Sequence, residues 1–435
     1  MSSNDKKVHI SMPIPVIVVM VVLIEIFAVA GIKKVDAKNI AENNGKQYEY
    51  ESVAEDREEA TDDDGDEGTT EISNKTENID DKDLKYKEGL VHKDKKIWKK
   101  PDVCTDMSQY AKVINQYILS GSNEQLIIDT KGIDDEEITN INEYITQPFG
   151  WCDRYIFEES DVDGMNKVEV YIHFEPVYYV YRYIVYGDDI PETEEKAIEL
   201  LKAVETMLFD VDLTTMSDYE KELFFYEYII NTADYDYSAL EATERNDAHS
   251  AYGLFVNHKA VCEGYARAMG LLMSIAGIDN YYVTGVVREE LRDGDEDGDH
   301  AWNMAKIDGK WYLLDATWDD QGSSEMTHKY FNINDKIMSQ TRETAHIELY
   351  PECNSMDMNY FVYNNRFFES YDDYKEYIAS FAGKTEKNEI EAVVSDYSEE
   401  KYDFSEISSM LGTGGISFLV DTISDDYTQI VIYIN

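Results

Sequence analysis

Apolar positions along the chain fall into three regimes. The first, Pro13 to Ile32, has no period: it is continuously apolar, long enough to span a bilayer, interrupted only by Glu25, and preceded by Lys6 and Lys7 and followed by Lys33 and Lys34. The second, from about Ala37 to Lys85, is nearly free of large apolar residues and cannot form a core. The third begins near residue 101 and mixes two periods. Helical spacing predicts helices around 107–119, 135–146, 191–209 and 216–233, and Ser217 before Glu220 has the spacing of a capping box at the start of the last. Strand-forming runs predict strands at 126–129, 153–158, 167–174 and 176–186, with Asp163-Gly164 in a turn. The run VYYVYRYIVY within the last of these reads as tyrosine-rich sheet packing rather than a carbohydrate-binding surface. Towards the C-terminus the pattern predicts helices at 370–381 and 403–411 and strands at 388–394, 416–421 and 428–434. Gly412, Gly414 and Gly415 form a helix-to-strand turn, since no lysine follows to make a phosphate loop.

The stretch from 248 to 318 carries the chemistry. Ala266, Met269, Leu272, Met273 and Ala276 recur at helical spacing behind Cys262, and Gly277 stands where a left-handed cap belongs. The thiol therefore sits at a helix N-terminus, where unpaired N–H groups and the macrodipole favour a thiolate and can stabilise an oxyanion. Downstream, Asp308-Gly309 between two strand-forming runs signals a two-residue hairpin turn. If Ile307 faces Lys310, His300 falls opposite Thr317 and Trp302 opposite Asp315, which makes His300 and Asp315 diagonal neighbours on one face. A carboxylate there holds an imidazole in one tautomer, so Cys262, His300 and Asp315 form a candidate nucleophile, base and orienter.

The segments VCEGYA (261–266), DHAWN (299–303) and WYLLDATW (311–318) resemble the bacterial transglutaminase-like family, and the likeness extends over roughly 215–335. The resemblance implies a papain-like fold and a Cys, His, Asp triad, with Cys262 matching the nucleophile, His300 the general base and Asp315 the residue that orients it. The expected fold class is α+β, a papain-like core flanked by two small α+β domains and preceded by a membrane segment and an acidic linker. The corresponding divisions are 1–36, 37–100, 101–190, 191–345 and 346–435. The apolar N-terminal run is either a cleaved signal peptide, with Ala28-Val29-Ala30 and Val35-Asp36-Ala37 suited to a peptidase, or an uncleaved anchor.

Charge narrows the partners. With 39 basic and 90 acidic residues the net charge is -51, which argues against nucleic acid and against adhesion to anionic surfaces. KDKKIWKK at 93–100 is a local exception, expected to pair with the acidic segment beside it. Asp293, Asp295, Asp297 and Gly298 copy half a calcium loop, but Met304 occupies its twelfth position, so the stretch reads as an acidic loop beside the site. The four cysteines lack zinc spacing; no metal or cofactor is called for, and Cys104 and Cys152 are expected to pair in an exported protein. The functional expectation is an exported, membrane-tethered thiol enzyme acting on amide or peptide bonds of a protein or peptide substrate, cationic ones being favoured. A non-catalytic cell-surface binding module that retains the fold is the competing expectation.

Overall fold

The computed structural model describes residues 83–434, apart from 100–102, 131, 134–137, 139–140, 163–164, 241, 243, 289–298, 321–325, 384–388, 413–414 and 425. The apolar run at 13–32, the acidic segment up to residue 82, the Asp163-Gly164 turn and the acidic loop at 293–298 lie outside the described residues. Among the described residues no helix is long and apolar enough to cross a membrane.

Helix α1 (Met107–Ser120) starts on Asp106, whose side chain accepts from the Gln109 N–H, and leads to β1 (Leu126–Asp129). β2 (Cys152–Val162) and β3 (Met165–Phe174) form a hairpin, and the antiparallel sheet runs β1-β3-β2. Only a single turn, Ile141–Tyr144, is seen in the latter half of the helix expected at 135–146. The β-branched Ile141, Ile145 and Thr146 and the nearby Pro148 leave that segment little helical preference.

The strand expected at 176–186 is a helix, α2 (Pro176–Tyr186), and it is buried almost all round. Full burial erases both periods, so aromatic and β-branched content pointed to a strand. The overriding signals are Pro176 at the first helical position and Gly187 in a left-handed C-cap at φ 68°. Helices α3 (Glu195–Leu208) and α4 (Asp218–Thr232) follow. The expected capping box forms at the start of α4: the Ser217 N–H donates to Glu220 Oε2 at 2.7 Å and the Glu220 N–H to Ser217 Oγ at 3.3 Å.

Short parallel strands β4 (Asp234–Tyr235) and β5 (Lys259–Ala260) deliver the chain to α5 (Cys262–Ile275), a helix buried on all sides and followed by Gly277 at φ 85°. Next come β6 (Asn280–Val287), β7 (Asp299–Ile307), β8 (Lys310–Leu314), a single helical turn α6 (Ala316–Asp319) and β9 (Arg342–Thr344). These strands form an antiparallel sheet ordered β8-β7-β6-β9, against which α5 packs. The C-terminal part contains β10 (Phe367–Phe368), α7 (Tyr371–Ala379), β11 (Glu389–Val394), α8 (Phe404–Leu411), β12 (Ile416–Ser424) and β13 (Tyr427–Ile434), with sheet order β10-β11-β13-β12. It has its own core of Tyr374, Ile378, Ile390, Val394, Ile407 and Ile430. Its seam with the preceding region is polar: a buried Lys329–Asp421 ion pair, Asn359 Nδ2 donating to the Phe331 carbonyl at 2.9 Å, and Tyr427 Oη to the Lys329 carbonyl at 3.1 Å.

In the basic patch, Lys95 pairs with Asp188, just beyond α2, while the acidic segment expected to pair with that patch lies outside the described residues. One local expectation changes. The Cys104–Cys152 disulfide is not formed, and all four cysteines are buried free thiols. The sheet explains why: Cys104 donates its N–H to Asp129 on β1, whereas Cys152 starts β2 on the far side of β3. Two strand spacings, about 9–10 Å, exceed the roughly 7 Å that a disulfide tolerates between Cα atoms.

Thiol titration of denatured, unreduced protein should therefore count four reactive cysteines, and a count of two would contradict this arrangement. A second prediction concerns Glu222 on α4, fully buried, whose carboxyl is pushed by burial up to about 8 although Asn332 Nδ2 donates to it at 2.6 Å. Between the ordinary value of 4.5 and about 8 the folded state retains a proton that the unfolded chain releases, so stability falls as pH rises through that window. Glu222→Gln should raise Tm relative to the parent near the top of the window and change it less at the bottom. An equal Tm difference at both ends would contradict the burial argument.

Candidate active site

The hairpin sets the register. Asp308 at φ 48° and Gly309 at φ 78° both take the left-handed region that a two-residue turn of this hand requires, which is natural for the glycine and tolerated by the aspartate. The expected ladder forms from Ile307↔Lys310 to Asn303↔Leu314 and then stops. Trp302 and Asp315 are not cross-strand partners, nor are His300 and Thr317. Asp315 leaves the strand to cap α6, with Oδ1 accepting from the Trp318 N–H at 3.2 Å. His300 instead pairs with Gly285 on β6. The side-chain contact read from the sequence is nevertheless made, because His300 Nε2 lies 2.6 Å from Asp315 Oδ2. An ionised carboxylate only accepts, so Nε2 carries a proton, and in the neutral ring Nδ1 is the acceptor.

Cys262 is brought to the same place by packing. It clusters with Ala266, Tyr282 and Ala301, and Asn303 Nδ2 donates to the Ala266 carbonyl at 2.9 Å, tying β7 to the first turns of α5. Gly264 lets that turn approach the preceding segment: a Cβ there would lie 2.6 Å from the Ala248 carbonyl oxygen and 2.8 Å from Ala260 Cβ. Val261 gives the helix no side-chain cap. The expected thiolate-favouring environment is not what the resting site provides. Burial, then the Glu263 charge, push the Cys262 thiol up to about 12, outweighing hydrogen bonds from the backbone of Ala301 and Glu263. Glu263 in turn is held down to about 2: burial opposes ionisation, but His249, Arg267 and Arg245 surround the carboxylate and win.

The residue that sequence reasoning missed is Arg342, at the start of β9 and fully buried. Its Nε and Nη2 donate to Asp315 Oδ2 at 2.9 and 2.5 Å, and Nη1 to Thr341 Oγ1 at 2.5 Å. Its guanidinium lies over the rings of Trp318 at 3.9 Å and Tyr330 at 4.4 Å. Burial alone would raise the Asp315 carboxyl, but His300 and Arg342 hold it down at about 2. His300 itself lies between Trp302 and Trp318, with ring centroids at 5.7 and 6.0 Å. No local signal marks Arg342: a three-residue strand has no legible period, and its partner is 27 residues away. Asn303 lies inside the DHAWN segment, and its buried amide in a strand was the available clue to a tertiary tie.

Tyr237 is exposed, and its ring centroid lies 4.9 Å from that of Tyr235. Tyr235 packs on Val261, the residue before the cysteine. Among the described residues no group of His, Cys, Asp and Glu is arranged to hold a metal ion.

The family comparison falls on the same part of the chain. The model of the Transglutaminase-like superfamily matches residues 206–316, which include Cys262, His300 and Asp315. The chain is similar to kyphoscoliosis peptidase of Mus musculus, 25% identical over 136 residues, and of Homo sapiens, 24% identical over 136 residues. In both cases this covers 30% of the chain and only 20% of the relative, so the chain spans about a fifth of the length of the curated relatives it matches. A crystal structure of a TGase aligns with 48% of this chain and 55% of its own, at 17% identity and a TM-score of 0.24. Residues 206–316 of this chain are thus a transglutaminase-like domain within an α+β protein.

Proposed function

We propose that the protein is a thiol acyl-transfer enzyme acting on carboxamide or peptide bonds of protein or peptide substrates, with Cys262 as nucleophile, His300 as base and Asp315 as its orienter. The observation that carries this reading is the 2.6 Å contact between His300 Nε2 and buried Asp315 on the strand whose next residue, Ala301, packs against Cys262. Burial raises the thiol's pKa, and in this reading the base takes its proton as the sulfur attacks. Cys262 Sγ bonds to the carbonyl carbon while its proton passes to His300 Nδ1. The backbone N–H at the start of α5 faces the developing oxyanion. The Nδ1 proton then passes to the leaving nitrogen, the C–N bond breaks and an acyl-thioester remains. An amine or water, losing its proton to Nδ1, attacks the thioester carbonyl, and as the C–S bond breaks Nδ1 returns that proton to Sγ, restoring the thiol and the base.

The same reading places the enzyme outside the cytoplasmic membrane, tethered or released by the segment at 13–32, with the acidic stretch after it as a spacer. Incubating the full chain with glutamine- and lysine-bearing peptides distinguishes the fates of the thioester: released ammonia, a new cross-link or a cut backbone. Cys262→Ala should abolish every product. Asp315→Asn should lower turnover by roughly two to four orders of magnitude, because the imidazole loses the partner that fixes its tautomer. Product formation by the Cys262 variant, or near-normal turnover in the Asp315 variant, would refute the assignment.

Neutralising Asp293, Asp295 and Asp297 should raise KM for a lysine-rich peptide at low salt and leave turnover nearly unchanged, with the difference shrinking as salt is added. A KM indifferent to these charges at low salt would remove the preference for cationic substrates.

A further inference from the structure

A buried carboxylate needs a counter-charge. Asp315 is 1% exposed, and His300 Nε2 lies 2.6 Å from its Oδ2. Leaving such a carboxylate with no cation would favour its protonation. Among the described residues, Arg342 is the cation in contact with Asp315. Two of its donors converge on Oδ2, the oxygen that also receives His300 Nε2, while Oδ1 is fixed by the Trp318 N–H. The guanidinium cannot swing away, since Thr341 takes Nη1 and the rings of Trp318 and Tyr330 stack against it.

We infer that Arg342 is a positioning residue of the reaction: it keeps Asp315 ionised and aimed at His300 Nε2 throughout the cycle, so that Nδ1 always faces the thiol as an acceptor. This rests on the thiol-enzyme reading above. Arg342 touches neither Cys262 nor the substrate position in this reading, and its effect on the chemistry passes through Asp315. Lysine is a poor replacement because a point ammonium cannot supply two fixed donors to one oxygen and lie flat between two aromatic rings.

The test is a double-mutant cycle on the full chain, read as the rate of Cys262 carbamidomethylation by iodoacetamide near neutral pH. Peptide mass gives the rate, with Cys353 as internal reference and Tm reporting folding. His300→Ala should slow Cys262 markedly. Arg342→Gln should slow it about tenfold or more in the parent, yet add almost nothing in an Asp315→Asn background, because residues that act as one unit are strongly non-additive. Arg342→Lys, which retains charge and loses the fork, should fall between the parent and Arg342→Gln and serves where the glutamine variant does not fold. Equal slowing by Arg342→Gln in both backgrounds, or none in the parent, overturns the positioning role while leaving the triad intact. A Cys262 rate indifferent to His300→Ala sinks the thiol-enzyme reading and the positioning role with it.

Discussion

One oxygen atom, Asp315 Oδ2, organises the centre of this protein. It receives a proton donor from β7 through His300 and two from β9 through Arg342, while the other oxygen of the same carboxylate caps α6. Three elements of different sequence origin are thereby fixed to one buried anion. Burial opposes the charge, and the charges and hydrogen bonds of His300 and Arg342 outweigh it and keep the carboxyl low. Removing any of these donors leaves a desolvated charge short of partners, so the arrangement tolerates little substitution.

The rest of the architecture delivers pieces to that point. The register of the sheet β8-β7-β6-β9 brings the N-terminal end of β7, the exit of β8 and the start of β9 to the same end of the sheet, and α5 packs against it with Cys262 at its first turn. Asn303 links sheet and helix through the Ala266 carbonyl, and Gly264 allows the close approach behind the thiol. The C-terminal part acts at one remove. It grips the 329–331 segment through Asp421, Asn359 and Tyr427, and Tyr330 in that segment both stacks on Arg342 and accepts the Asp315 N–H at its carbonyl.

Much of this was legible in the sequence, and the exceptions have physical causes. The I′-type dipeptide Asp308-Gly309 determines the hairpin register locally, and helical spacing behind Cys262 determines where its helix begins, so the His300–Asp315 contact and the location of the thiol could be read without tertiary knowledge. The strand opposition of Trp302 and Asp315 failed because a capping aspartate outcompetes one more ladder pair. The state of the thiol was misjudged because a helix N-terminus is visible in sequence while the burial that opposes it is not. Helix α2 was missed because a segment buried on every side shows no period, and only Pro176 and Gly187 carry its identity. Arg342 was invisible because its role is defined by a partner on a distant strand.

In the thiol-enzyme reading, Asp315 holds His300 with the proton on Nε2, leaving Nδ1 free to receive the proton of Cys262. Nitrogen-15 NMR of the His300 imidazole in the resting protein at neutral pH tests this without a substrate. The expected result is a protonated Nε2 in a strong hydrogen bond and a bare Nδ1, with Asp315→Asn blurring this assignment. A proton found on Nδ1 in the parent protein, alone or as part of an imidazolium, would contradict it.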